Sequence, residues 1–355
     1  MQGIKQITNA FFKLGEAFRI AGRFPEDAGP EAGRALQILF GEIENARFYN
    51  PWFTPEFVRL SLQAWAEALQ HKKIIKWLEK YPASDRPSAE GKKVAIIMAG
   101  NLPMVGLHDL LCVIASGNRA IVKPSSQDNR LIPAVKELIS EIDPVLGERI
   151  EIREDILKGF DAIIATGSNN TSRYFEYYFG KYPSIIRKHR NSAAVITGRE
   201  TAKELKGLAQ DVFTYFGMGC RNVSKLYIPE DYHPEALFPA FQDFEYFADH
   251  NKYRNNYEYQ KSIFIINKIS HFDNGFLLLR QDESLTSPVS VLNFERYRQL
   301  DRLVEQLGNL KGSLQCIISG DKSIPGSILP GTGQFPELWD YADGIDTMEF
   351  LLNMK

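Results

Sequence analysis

Cysteine is scarce in this chain, with three in 355 residues. The number is odd, and Cys112, Cys220 and Cys316 have neither metal-ligand nor redox spacing. That argues against a disulfide framework or a zinc site and for a reducing compartment. A surplus of positive charge is missing too. Lys and Arg total 42 against 44 for Asp and Glu, a net charge of −2, so there is no basic field for nucleic acid or an anionic membrane, and any polyanion site must be local. No apolar run approaches the length of a membrane span, and the opening Met1-Gln2-Gly3-Ile4-Lys5 lacks the apolar core of a signal peptide. Internal repeats and low-complexity tracts are absent, and so is Gly-x-Gly-x-x-Gly, which leaves an ordinary Rossmann pyrophosphate turn unsupported. These absences predict a cytoplasmic protein with a small-molecule partner, no nucleic acid, no membrane span and no metal.

What is present suffices for two domains: 44% hydrophobic and 24% charged residues over this length can build two separate cores. Residues 1–80 read as helical, with Ile4, Ile7, Phe11, Leu14 and Phe18 in one stripe. A second helix opens at Thr54-Pro55-Glu56, with Thr as N-cap, and runs to about Trp77. Asn50-Pro51-Trp52-Phe53 before it reads as a hydrophobic staple, or as cover for a pocket. After a polar stretch at 81–91, short apolar runs alternate with helical periods, which implies parallel sheets covered by helices. The expected fold is α/β, two doubly wound parallel-sheet domains after an N-terminal helical region. The boundaries are a helical region 1–90, a cofactor domain 91–190, a catalytic domain 191–325 and a tail 326–355. Strands are expected at 93–99, 119–123, 149–152 and 161–165, then, in a restarted alternation, at 185–186, 194–196, 225–228, 262–267, 275–279, 289–294 and 314–319. Ligands of such sheets collect at the carboxyl ends of strands. Here those ends read Gly100-Asn101, Pro124-Ser125-Ser126 and Thr166-Gly167-Ser168.

Phe216-Gly-Met-Gly-Cys220-Arg-Asn222 sets one cysteine between a helical pattern (Thr201 to Phe216) and an apolar strand. Gly217 and Gly219 free the backbone to turn N–H groups toward negative charge forming beside the sulfur. Cys220 is therefore a candidate nucleophile, against the alternative of a small buried hydrophobe. Cys112 and Cys316 lie in apolar runs and read as structural. Two basic stretches read first as surface: His250 to Gln260 as a solvated connection, with contact to a CoA or nucleotide as the alternative, and Lys188-His189-Arg190 as an exposed cluster, with contact to a phosphate as the alternative.

Four segments in order resemble the aldehyde dehydrogenase superfamily, most closely its LuxC-type branch of acyl-CoA reductases. Asn101-Leu102-Pro103 is similar to the family's Asn-Phe-Pro turn, whose asparagine helps form the oxyanion hole. Ser116-Gly117-Asn118-Arg119-Ala120-Ile121-Val122-Lys123-Pro124-Ser125 resembles its Gly-Asn-x-x-x-x-Lys-Pro-Ser strand, whose lysine binds the adenosine ribose. Thr166-Gly167-Ser168 is similar to its turn at the cofactor phosphates, Cys220 falls at its nucleophile, and Asn50-Pro51-Trp52-Phe53 is similar to the LuxC branch in particular.

The resemblance implies reduction of an acyl-CoA, fatty acyl-CoA included, to an aldehyde through an acyl-cysteine. Its catalytic residues would be Cys220 and Asn101, and its cofactor-binding residues Lys123, Ser125, Ser126, Gly167, Ser168 and Glu283. A homodimer stays open, since the chain is short for the superfamily and its oligomerisation hairpin is expected to be reduced. In NAD-specific relatives a glutamate stands three places after the lysine, where this chain has Ser126, so NADPH is the expected cofactor, with NADH also accepted. The family's water-activating glutamate has no counterpart in Arg187-Lys188-His189-Arg190-Asn191. Two other readings of the same residues stay open: a thioester hydrolase or acyltransferase using the same cysteine, and a non-catalytic acyl- or nucleotide-binding protein.

Overall fold

The computed structural model describes residues 2–23, 33–81, 91–167 and 169–354. The chain forms two compact units, one built from residues 1–189 and 335–355, the other from 190–334.

The first unit opens with α1 (Gln2–Ala21), α2 (Arg34–Tyr49), α3 (Pro55–Ala68) and α4 (His71–Leu78). Thr54 caps α3 by accepting from the Phe57 N–H at 3.3 Å, with Pro55 in the first turn, where its missing N–H costs nothing. The single helix expected as far as Trp77 is two helices. Leu69 is buried against Gly15, where even an added Cβ would come within 2.8 Å of the leucine Cβ. The chain turns there and gives α4 its own buried face of Ile74, Trp77 and Leu78.

Then follow β1 (Lys93–Ile97), α5 (Leu107–Ala115), β2 (Arg119–Lys123), α6 (Leu131–Ile142), α7 (Pro144–Gly147), β3 (Ile150–Ile152), β4 (Ala162–Thr166), α8 (Asn169–Phe179) and β5 (Ser184–Arg187). The sheet order is β3-β2-β1-β4-β5, with every pairing parallel. Strand periodicity divides its side chains between two cores. Val94, Ile96, Ala120, Val122 and Ile164 join the N-terminal helices, α5 and α6 in one cluster. Ala95, Ile121, Ile163 and Ala165 meet Phe160, Phe175 and Phe179 in another. The N-terminal helices thus share the main core of the sheet. β5, which the restarted alternation opens with but the boundary expected at 190 keeps in the cofactor domain, completes this first sheet, with Thr166 opposite Arg187.

The second unit contains β6 (Asn191–Val195), α9 (Ala202–Phe213), β7 (Val223–Pro229), α10 (Phe238–Phe241), α11 (Asn251–Ile266), β8 (Phe272–Asp273), β9 (Leu278–Gln281), β10 (Val291–Tyr297), α12 (Leu300–Asn309) and β11 (Leu314–Ile318). Its order is β11-β6-β7-β10-β9-β8. All neighbours are parallel except β8, antiparallel to β9, so the sheet is mixed and not wholly parallel. A capping box between Thr201 and Glu204 starts α9.

Residues 250–267, expected as a solvated connection and a strand, form the helix α11 with His250 and Asn267 as its caps. Tyr253, Tyr257 and Phe264 are buried at a helical spacing, whereas Ile265 and Ile266 are 60% and 78% exposed, which a strand filling a core would not allow. The chain then returns to the first unit and ends in α13 (Thr347–Leu352), capped by Asp346. Arg187 binds this segment, donating to the Ala342 carbonyl at 2.8 Å and to Thr347 Oγ1 at 2.9 Å while pairing with buried Asp109.

Candidate active site

Cys220 lies half-buried in the turn between α9 and β7, and the turn is unusual. Tyr215, Phe216 and Gly217 are consecutively left-handed, with φ of 54°, 57° and 75°. That conformation disfavours side-chain-bearing residues by roughly 1–2 kcal/mol each. Burial offsets it: Phe216 packs on Phe247, His250 and Tyr253, with ring centroids 4.6, 4.5 and 5.9 Å away. These residues end α9 at Phe213, three residues before the helical pattern in the sequence runs out.

Asn222, 1% exposed, fastens this turn. Its amide donates to the carbonyls of Asp211 (3.0 Å) and Thr214 (2.8 Å) at the end of α9, and its Oδ1 accepts from the Gly219 N–H at 2.8 Å. The Cys220 carbonyl accepts from Ser192 Oγ at 2.9 Å, and that hydroxyl accepts from the Cys316 N–H at 3.0 Å. Arg221 Nε donates to the Gly333 carbonyl at 2.5 Å, and Asp211, wholly buried, accepts from the Gly331 and Gly333 N–H groups at 2.6 and 2.8 Å. Burial pushes the Asp211 carboxyl up to about 6, against the opposing pull of those N–H groups and of Arg221. The backbone on both sides of the thiol is therefore pinned. Cys112 and Cys316 are buried, and burial drives the Cys112 thiol well above its ordinary range, away from the reactive thiolate.

In the first unit, Asn101, Ser125 with Ser126, and Gly167 follow β1, β2 and β4, three adjacent strands. Asn101 is exposed on a turn whose Pro103 carbonyl accepts from buried Ser61 at 3.1 Å. Met104, at φ 55°, donates its N–H to Asp128 Oδ2 at 2.8 Å. Desolvation raises the buried Asp128 carboxyl to about 6. Lys123 ends β2 and donates to the Asp155 carbonyl at 2.9 Å, Ser125 Oγ accepts from the Gln127 N–H at 3.2 Å, and Ser126 is exposed. The first two turns abut: a Cβ at Gly100 would fall 2.6 Å from that of Ser125. Asn50 ties the Asn-Pro-Trp-Phe segment to the same edge through the Gln127 carbonyl at 3.3 Å, while Phe53 and Val58, the staple pair, lie in the main core. At Gly167 a Cβ would meet Phe175 and Thr171 at 3.0 Å, so glycine lets α8 close on its strand. Ser168 lies outside the described residues. Asn118, in the matching motif, is a buried scaffold group, accepting from the Lys92 N–H at 2.9 Å.

Glu283 is exposed in the connection between β9 and β10, in the second unit with Cys220. Of the basic cluster, Lys188 pairs with Glu176 at 2.9 Å and Arg190 donates to the Leu314 carbonyl at 3.4 Å. Asp128, Ser192, Asp211 and Asn222 were not singled out from the sequence. A polar residue beside a turn was the only signal, and their partners lie up to 124 positions away. Among the described residues no group of three or more His, Cys, Asp or Glu could hold a metal ion, and no helix is long and apolar enough to cross a membrane.

A family profile described as acyl-CoA reductase (LuxC) matches residues 57–235, just over half of the chain. The chain belongs to the LuxC family of acyl-CoA reductases. The matched span includes Asn101, Lys123, Gly167 and Cys220 but stops short of Glu283. A search of the curated proteins finds no match. Solved aldehyde dehydrogenases share the fold. An NAD-dependent aldehyde dehydrogenase from Sinorhizobium meliloti aligns with a TM-score of 0.61 at 13% identity, over 91% of this chain and 72% of that one. A point mutant of the propionaldehyde dehydrogenase from the Clostridium phytofermentans fucose utilisation bacterial microcompartment gives 0.59 at 9%, over 94% and 82%. Aldehyde dehydrogenase 21 from Physcomitrella patens, solved with the product succinate, gives 0.57 at 12%, over 99% and 87%. As a LuxC family member the chain is an acyl-CoA reductase, an oxidoreductase that converts the acyl thioester to the aldehyde.

Proposed function

We propose that Cys220 is the nucleophile of this reduction and that Asn101 is its oxyanion donor. The observation that carries the reading is the pinned, left-handed turn that presents a half-buried thiol, because stored backbone strain beside a reactive group is characteristic of functional sites. The Cys220 thiolate attacks the thioester carbonyl, forming a carbon–sulfur bond and placing negative charge on oxygen. The Asn101 side-chain amide and the Cys220 N–H donate to that oxygen, each such donor contributing on the order of 3 kcal/mol in the transition state. Collapse expels CoA as its thiolate and leaves the acyl group on Sγ.

A reduced nicotinamide supplies the hydride for the second half-reaction. Cys220 then departs from the thiohemiacetal as thiolate, and the aldehyde is released. The carboxyl edge of β2, β1 and β4 suits such a nucleotide, since the turns after β1 and β2 abut at Gly100 and Ser125 and glycine at 167 lets α8 close on β4, and ligands of parallel sheets collect at such strand ends. In this reading Lys123 holds the adenosine ribose with Ser125 and Ser126 beside it, Gly167 and Ser168 face the phosphates, and Glu283 meets the nicotinamide ribose. Ser126 favours NADPH: a carboxylate there would repel a 2′-phosphate, and a hydroxyl can donate to it.

The experiment is to follow loss of absorbance at the reduced-nicotinamide band on adding acyl-CoA, with NADPH and NADH in parallel. Consumption of nicotinamide matched by aldehyde, with the higher kcat/KM for NADPH, is expected. Release of CoA at full rate without nicotinamide would favour a thioester hydrolase instead, and a higher kcat/KM for NADH would reverse the cofactor preference.

A further inference from the structure

Lys225 and Asn293 have no exposed surface at all, and burying an ammonium or an amide costs free energy unless its hydrogen bonds are met. Both direct those bonds at one surface loop, residues 282–287. Lys225 Nζ donates to the Asp282 carbonyl and pairs with Glu295 at 2.9 Å. Asn293 Nδ2 donates to the carbonyls of Ser284 and Thr286, both at 3.0 Å, while its Oδ1 accepts from Arg280 at 3.2 Å. Ser224 Oγ adds a bond to the Leu285 carbonyl at 2.7 Å. Within the loop, Asp282 accepts from the Ser284 N–H at 2.8 Å and pairs with Arg280 at 3.0 Å.

Side chains from β7 and β10 thus grip the carbonyls on either side of Glu283, itself an exposed residue. Ser224 and Lys225 lie four and five residues after Cys220, so the strand that leaves the nucleophile's turn is one of the two that hold the loop. A solvent-exposed loop gains little stability from such anchoring, whereas a loop that must offer one carboxylate to a ligand gains a fixed geometry.

We propose that Ser224, Lys225 and Asn293 are positioning residues that hold the 282–287 loop so that Glu283 is presented to the nicotinamide ribose. This rests on the reading of Glu283 given above, and the test separates the two. In the full-length protein, the Kd for NADPH is titrated by its own fluorescence, hydrogen exchange is followed over residues 282–287, and the alkylation rate of Cys220 is measured without nucleotide. Asn293→Ala should speed exchange in the loop and weaken NADPH by about tenfold, the scale of a lost buried hydrogen bond. Glu283→Gln should weaken it similarly, and the double variant should lose little more.

Ser224→Ala, which removes the short bond to the loop together with longer contacts to Asn191 Oδ1 and the Ser192 carbonyl at 3.4 and 3.5 Å from a half-buried side chain, should act in the same direction by about threefold and carries the test if Asn293→Ala fails to fold. Lys225→Met should follow Asn293→Ala with Cys220 alkylation unchanged; a slowed alkylation would make Lys225 a partner of the thiol and overturn its assignment. An NADPH affinity that responds to Glu283→Gln but not to Asn293→Ala or Ser224→Ala would overturn the positioning proposal and leave the ribose reading intact. An affinity indifferent to Glu283→Gln would overturn the ribose reading itself.

Discussion

Asn101 is exposed, and the turn that carries it is held by Asp128, which accepts from the Met104 N–H; the proposed mechanism gives the Asn101 amide the role of donor. A donor that matters only once the oxyanion has formed should affect kcat, so Asn101→Ala is expected to lower kcat by roughly 10² or more and leave the Kd for NADPH unchanged. A change confined to KM would make Asn101 a binding residue. Asp128 makes a pH prediction. Its carboxyl is pushed up to about 6 in the folded chain, against an ordinary value of 3.8, so the folded state holds its proton longer than the unfolded one. Its contribution to stability is complete below pH 3.8 and is lost as pH rises through about 6. Asp128→Asn cannot titrate. Its stability relative to the natural protein, from urea unfolding, should rise by on the order of 3 kcal/mol between about pH 4 and pH 8. A difference flat with pH would contradict the assigned burial effect.

In the proposed mechanism the chemistry depends on the turn between α9 and β7, which Asn222 holds closed. Removing that amide leaves buried carbonyls of Asp211 and Thr214 without their donor. Asn222→Ala is therefore expected to cost on the order of 1–3 kcal/mol in unfolding experiments and to slow single-turnover acylation at a temperature where the variant is still folded. Acylation at the natural rate would separate the turn from the chemistry. Elements were legible in the sequence where their signal is local. The strands 93–97, 119–123 and 162–166, and the helix 131–142, each carry a clean period or apolar run between turn residues. The reading failed where tertiary packing decides. The apolar run 262–266 looks like a strand but continues a helix that buries only some of its side chains, Tyr253, Tyr257 and Phe264 among them. The break at Leu69 depends on Gly15, 54 positions away. β5 could be given to its sheet only once β4 was there to pair with it. The candidate site followed the same rule: Cys220, Asn101 and Lys123 sit in contiguous motifs, whereas the groups that pin their turns are joined by folding.

At the scale of the whole molecule, membership of the LuxC family fixes the reaction and the structure bears on its direction. Where hydrolytic relatives are expected to carry a water-activating glutamate, residues 187–191 hold no carboxylate. Arg187 is committed to Asp109, Thr347 and the Ala342 carbonyl. A positioned base contributes typically about 10²–10⁴ to such a step, so the acyl-enzyme should persist until hydride or CoA arrives. Given aldehyde and oxidised nicotinamide, the enzyme is expected to turn over only when CoA is added, and equal rates without CoA, yielding free acid, would contradict this. The central claim is the covalent role of Cys220, and trapping measures it most directly. The protein is mixed with acyl-CoA in the absence of nicotinamide, digested and examined by mass spectrometry. An acyl adduct on Cys220, with Cys112 and Cys316 unmodified, no adduct in Cys220→Ala and no reduction by that variant is the predicted result. Acyl-CoA reduction by Cys220→Ala at the natural rate would contradict it.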